Sequence, residues 1–175
     1  MICCVTGHRP NGFQFLRDEK DERYLKYLDR LRREVEGLIE EGYECFITGM
    51  ADGADVDFAS MVLSLREDGK AITLEAALPF PLRSCKRQNA YHQKRDWILQ
   101  ECDRSHVVSP YYHKGCMQKR NCYMVDRSHL ILAIWNGCEK GGTWNTIQYA
   151  KSKGKEIRYI MLTDDLIPLV EDKQD

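Results

Sequence analysis

Three short stretches combine glycines with side chains able to hold a phosphorylated ligand. Gly141-Gly142-Thr143 follows the apolar run Leu130 to Trp135, after a break at Asn136-Gly137, and opens a helical pattern. A strand that breaks at glycines and restarts as a helix leaves backbone N–H groups of the first turn exposed, and these attract anions. Thr143 adds a hydroxyl that either caps the helix or hydrogen-bonds a phosphate oxygen. Thr48-Gly49-Met50-Ala51-Asp52-Gly53-Ala54-Asp55 places two glycines four residues apart ahead of the helical face Phe58, Ala59, Val62, Leu65. Gly49 permits close approach of backbone to a ligand, and Gly53 lets the helix start lie tight on a sheet. Asp52 and Asp55 each suit a helix cap or a ribose hydroxyl. Thr6-Gly7-His8-Arg9-Pro10 ends the first apolar run. Arg9 there can fork onto phosphate, and His8 can bond phosphate or a sugar hydroxyl. None of the three is a G-x-G-x-x-G or Walker sequence, so each alone is a weak signal.

Composition narrows the setting for these residues. A chain of 175 residues with 43% hydrophobic and 30% charged residues suits one soluble domain, 1–175, with residues 164–175 as a charged, frayed tail. A net charge of −1 makes nucleic acid an unlikely general partner, and no apolar run reaches membrane-spanning length. The opening Met1-Ile2-Cys3-Cys4-Val5 enters a polar turn rather than a signal-peptide pattern, which points to the cytoplasm. Eight cysteines without a C-x-x-C pair read as reduced structural thiols, with no metal site.

The elements that must position the three stretches alternate strand and helix. Strands are expected at Ile2–Thr6, Glu44–Thr48, Ala71–Leu78, Ser105–Ser109, Leu130–Trp135 and Ile157–Met161. Tyr24, Leu28, Leu31, Val35 and Leu38 recur at helical spacing up to Gly42, and a second stripe follows Gly53. A third helix is expected from Ser84 to Cys102, with Ala90, Tyr91, Trp97 and Ile98 along one side and Arg83, Lys86, Arg87, Lys94 and Arg95 on a solvated basic face. Further helices cover Gly115–Asp126 and the stretch from Gly141 to Gly154, and Pro79-Phe80-Pro81 presents Phe80 either to a base or to the core. Alternating βα units specify an α/β, doubly wound, mainly parallel sheet flanked by helices, Rossmann-like, with ligands at the carboxyl ends of its strands. Apolar helix faces serve a core or a dimer equally, so homo-oligomerisation stays open.

Gly49-Met50-Ala51-Asp52-Gly53-Ala54-Asp55 with Ala59 resembles the G-x-A-x-G-x-D-x-x-A signature of the DprA/Smf and YpsA-like proteins. Arg120-Asn121 and Met124-Val125-Asp126-Arg127-Ser128 resemble the R-N-x-x-M-V-D-x-S-D stretch of the YpsA-like group. Thr6 to Pro10 and Gly141-Gly142-Thr143 match in the same order, so the chain is identified as a YpsA-like member of the SLOG superfamily. The resemblance implies a Rossmann-like nucleotide-binding domain. The expected ligand is NAD, ADP-ribose or a nucleoside phosphate, held by the three glycine stretches with Arg120 and Asn121, in a binding or sensing protein.

The related Lonely Guy phosphoribohydrolases use an arginine before the strand and a glutamate after the glycine turn. Arg120 stands where that arginine would be, whereas Thr146 takes the glutamate's place. A threonine supplies no carboxylate, so N-glycoside hydrolysis is the second expectation, with Asp52, Asp55 or Glu139 as substitutes. Single-stranded DNA binding, as in the DprA relatives, is the third.

Overall fold

A computed structural model describes residues 1–10, 18–82 and 89–162. Six strands form one parallel sheet: β1 Ile2–Gly7, β2 Cys45–Thr48, β3 Thr73–Leu78, β4 Arg104–Val107, β5 Leu130–Trp135 and β6 Glu156–Met161. Their order across the sheet is β4-β3-β2-β1-β5-β6. The central strands β1 and β5 are almost continuously buried, as their unbroken apolar runs require when both faces are covered.

Helices α1 (Glu22–Glu40), α2 (Ala54–Glu67) and α3 (Ala90–Glu101) pack side by side on one face; α4 (Cys116–Arg127) and α5 (Gly141–Ser152) pair on the other. Tyr24, Tyr27, Leu31, Val35 and Leu38 of α1 enter the larger core with Phe58, Val62 and Leu65 of α2. Met124 and Val125 of α4 close a smaller core over Cys4, Ile47 and Ile131. The chain thus winds outward from β1 to β4, then crosses by α4 to β5 beside its starting strand. Strand order reverses between β1 and β5, and a crevice opens at that reversal, at the strands' carboxyl ends.

A side chain at the end of β1 would jam this crossing. A Cβ added to Gly7 would lie 2.4 Å from Ala54 Cβ and 3.1 Å from Ile134 Cβ, neither of which can swing aside. Gly7→Ala is therefore expected to destabilise the protein by about 1–3 kcal/mol, read from its urea midpoint against wild type.

Several local expectations are corrected. Helix α2 is capped by Gly53 with no side-chain bond, so neither Asp52 nor Asp55 is its cap. Likewise Lys140 occupies the cap of α5, and Thr143 spends its hydroxyl elsewhere. On α3 the buried residues are Arg95 and Ile98, while Trp97 stays 41% exposed. The expected basic face is only partly solvated: Lys94 pairs with buried Asp57 at 3.5 Å, and Arg95 is held by Asp96 at 2.6 Å. Phe80 is half-buried and packs edge-on against Tyr112 at 5.5 Å. Arg83, Lys86, Arg87 and the expected tail lie outside the described residues. The seven described cysteines are free, and no described helix is long and apolar enough to cross a membrane.

Candidate functional site

Separate turns meet at the crevice between β1 and β5. A cavity of about 330 Å³ there is lined by Gly7, His8 and Arg9 after β1, Ala51 and Asp55 after β2, Arg120 and Asn121 on α4, and Gly142 and Thr143 on α5. Val5, Thr6 and Met117 complete the wall and were not expected from sequence. In the sequence Val5 is a strand residue, Thr6 opens the Thr6–Pro10 stretch without a binding role of its own, and Met117 falls within the expected helix Gly115–Asp126.

Hydrogen bonds tie the turns into one frame. Thr143 Oγ1 donates to the Gly7 carbonyl at 3.0 Å, joining the start of α5 to the end of β1. The Ala54 N–H donates to the His8 carbonyl at 3.2 Å, joining the start of α2 to the same turn. Gly53, at φ +91°, is the residue that lets these turns touch, since a Cβ there would sit 2.7 Å from the His8 carbonyl oxygen. Asn121 donates to Thr146 Oγ1 at 2.8 Å, and Thr146 donates to the Gly142 carbonyl at 2.9 Å. Thr146 is thus a buried strut, 1% exposed, rather than part of the wall.

Gly49, Met50, Asp52, Gly53 and Gly141 do not line the cavity. Gly49 instead makes room for Arg120, whose Nη1 donates to its carbonyl; a Cβ at Gly49 would overlap the guanidinium. Met50 adopts a left-handed backbone, φ 58°, which side chains other than glycine adopt rarely. Thr48 Oγ1 accepts its N–H at 3.2 Å, and its carbonyl accepts the Tyr91 hydroxyl at 2.9 Å. Both bonds hold the loop so that Ala51 and Asp55, not Met50, face the crevice.

The electrostatic centre is Asp55 with Arg120, 5% and 6% exposed and 3.7 Å apart. Burial pushes the Asp55 carboxyl above its ordinary range, while Arg120, the Ala51 N–H and Arg9 pull it back. Burial also lowers the Arg120 pKa, opposed mainly by Asp55. Arg120 Nε is buried and donates to no group among the described residues. A buried guanidinium with an open donor beside a cavity is a strong acceptor-seeking group. The first turn of α5 at Gly142 is also open, with nothing within 4 Å of where a Cβ would stand.

Burial lowers the pKa of His8 from its ordinary 6.5, with a hydrogen bond to the Asn136 side chain opposing the shift. A depressed histidine favours the neutral form in the fold. Its contribution is present above the unfolded value and is lost as pH falls through the lower folded value. Wild type is expected to lose more stability than His8→Gln between about pH 7.5 and about pH 5, measured by denaturant melts at both pH values.

The model of the YspA SLOG family (YpsA) matches residues 3–166. A UPF0398 protein of Bacillus pumilus (strain SAFR-032) is 26% identical over 174 residues, 97% of this chain and 92% of that protein. The SPbeta prophage-derived protein YoqJ of Bacillus subtilis (strain 168) is 31% identical over 145 residues, 75% of this chain and 84% of that protein. The solved structure of DNA processing protein A (DprA) from Streptococcus pneumoniae aligns over 93% of this chain with a TM-score of 0.62 at 15% identity. This chain spans 50% of that protein's length. The Helicobacter pylori DprA, whose structure is described for its single-stranded DNA binding mode, aligns over 94% of this chain and 67% of its own, with a TM-score of 0.60 at 17% identity. At these identities the two structures share the fold with this chain.

Proposed function

The chain belongs to the YspA SLOG family, and from that premise we propose that it binds a nucleotide or nucleotide-sugar, of the NAD or ADP-ribose kind, in the crevice between β1 and β5. The observation that carries this reading is Arg120, a guanidinium 6% exposed with an open Nε, beside the side-chain-uncapped first turn of α5. A phosphate there would meet the Gly142 and Thr143 N–H groups, the helix dipole and the charge of Arg9. Asp55 is the carboxylate among the described lining residues, and it suits ribose hydroxyls that lie beyond the phosphate.

The test is a thermal-shift panel of mono-, di- and cyclic nucleotides, NAD and ADP-ribose. A ligand at a hundredfold excess over its Kd stabilises the fold by about 2.7 kcal/mol, a clear rise in Tm. A flat response across the whole panel would overturn the reading. The same incubations, followed for released base, test N-glycoside hydrolysis. Thr146 supplies no carboxylate and is fully engaged, so any such activity would have to run through Asp55 and fall in Asp55→Asn.

Single-stranded DNA is the second reading. It is favoured by the fold likeness to the Helicobacter pylori protein and by Tyr111 and Tyr112, 69% and 68% exposed between β4 and α4. Stacking on such rings with binding that weakens steeply in salt would support it; mononucleotide binding without oligonucleotide competition would exclude it.

A further inference from the structure

A second cavity, of about 310 Å³, lies at the opposite edge of the sheet, where Ile2, Cys45, Thr73 and Arg104 begin their strands. Its floor holds Glu75, a carboxylate 2% exposed, placed by the register between Ile47 of β2 and Arg104 of β4. A charge on a buried strand needs partners. The Tyr123 hydroxyl donates to Oε1 at 2.6 Å, and His106 stacks on the Tyr123 ring at 4.2 Å, which steadies that side. Oε2 is different. Arg127 and Arg104 approach it at 3.5 and 4.0 Å, yet it accepts no hydrogen bond among the described residues.

The other charges of the cavity sort cleanly. Asp103 is already spent, since its Oδ2 accepts from the Leu74 N–H at 2.8 Å and from Arg66 at 3.0 Å. Arg104 and Arg127 keep side chains 69% and 39% exposed, with donors to spare. The open groups are therefore one buried acceptor and two guanidinium forks, set beside the half-buried apolar side chain of Ile2 on the same face of the sheet. A lone anion would leave Glu75 Oε2 without a donor, and a lone cation would be repelled by the two arginines. A small molecule carrying both charges on neighbouring atoms satisfies all three groups at once.

We propose that this cavity binds a free α-amino acid, its ammonium on Glu75 Oε2 and its carboxylate between Arg104 and Arg127. The side chain of the bound amino acid then lies along Ile2. Binding here is separate from the crevice between β1 and β5, because the two sites sit at opposite ends of the strands.

The test is calorimetry on the full chain with each of the twenty amino acids, repeated with the decarboxylated amine and the deaminated acid of any that binds. At least one amino acid should bind saturably, and both half-analogues should bind at least about tenfold more weakly, since each forfeits a charge-assisted bond. Glu75→Gln keeps an acceptor for Tyr123 but loses the charge, and should weaken binding by about tenfold or more. Arg104→Gln alters an exposed side chain, so it should fold normally and weaken binding likewise. Gly142→Asp, in the other crevice, should leave amino-acid binding unchanged. Silence from all twenty, or equal affinity in wild type and Arg104→Gln, would overturn the proposal.

Discussion

Asp55→Ala is expected to destabilise the protein by about 3–5 kcal/mol, the range for stranding one partner of a buried ion pair. Arg120 would then keep its charge at 6% exposure with the Gly49 carbonyl as its acceptor among the described residues, and Arg9 repels it. Two further contacts converge on Asp55: its carboxylate takes the Ala51 N–H at 3.2 Å and its carbonyl takes Thr48 Oγ1 at 2.8 Å, and Thr48 in turn holds Met50. Losing the carboxylate also frees the Ala51 turn that lines the crevice.

The sign of the Asp55 shift adds a separable consequence. Its folded pKa is raised, chiefly by burial, so its own contribution is greatest below the unfolded value and declines as pH rises through the folded one. The pair as a whole therefore need not stabilise the fold, even though breaking it is costly. Asp55→Leu combined with Arg120→Met should recover most of the stability lost in Asp55→Ala, because no unpaired charge remains. Denaturant melts of the three variants decide this. A double variant no more stable than Asp55→Ala would show that the loss came from packing rather than from the stranded guanidinium.

Gly142→Asp is expected to abolish nucleotide-induced stabilisation while leaving the unliganded folding free energy within about 0.5 kcal/mol of wild type. The space beside Gly142 is open, so a side chain enters without collision. A carboxylate in the first turn of α5 also sits favourably with the helix dipole, which protects the unliganded fold. Toward a phosphate the same carboxylate is repulsive and occupies the anion position itself. Gly142→Ala is the control, since a methyl group fills little of the crevice and carries no charge. Arg9→Ala should weaken the same response. A nucleotide shift of unchanged size in Gly142→Asp would remove the first turn of α5 from the site.

Much of the architecture was legible because burial imposes periodicity. β1 and β5 lie in unbroken apolar runs, and the α1 stripe ends at Gly42 with φ +91°, where a left-handed residue closes the helix. The family signature also led to the crevice, since His8, Ala51, Asp55, Arg120 and Thr143 all line it. What the glycines of the second stretch do was not legible. Gly49 and Gly53 were expected to serve a ligand or the sheet; they accommodate Arg120 and the β1 turn, partners 71 and 45 residues away in sequence. Thr143 could be read as a cap because the sequence holds no record that the Gly7 carbonyl lies 3.0 Å from its hydroxyl.

By itself, then, the amino-acid order determined the alternation of strand and helix, the parallel sheet and which turns carry glycine, because these depend on local spacing and on how apolar residues must be hidden. Only the tertiary structure decided that Arg120 pairs with Asp55, that Thr146 is a strut, and that Glu75 keeps an unfilled oxygen at the far edge. Such outcomes depend on which distant backbones pack side by side, and the free energy of a buried charge is set by those neighbours rather than by its place along the chain.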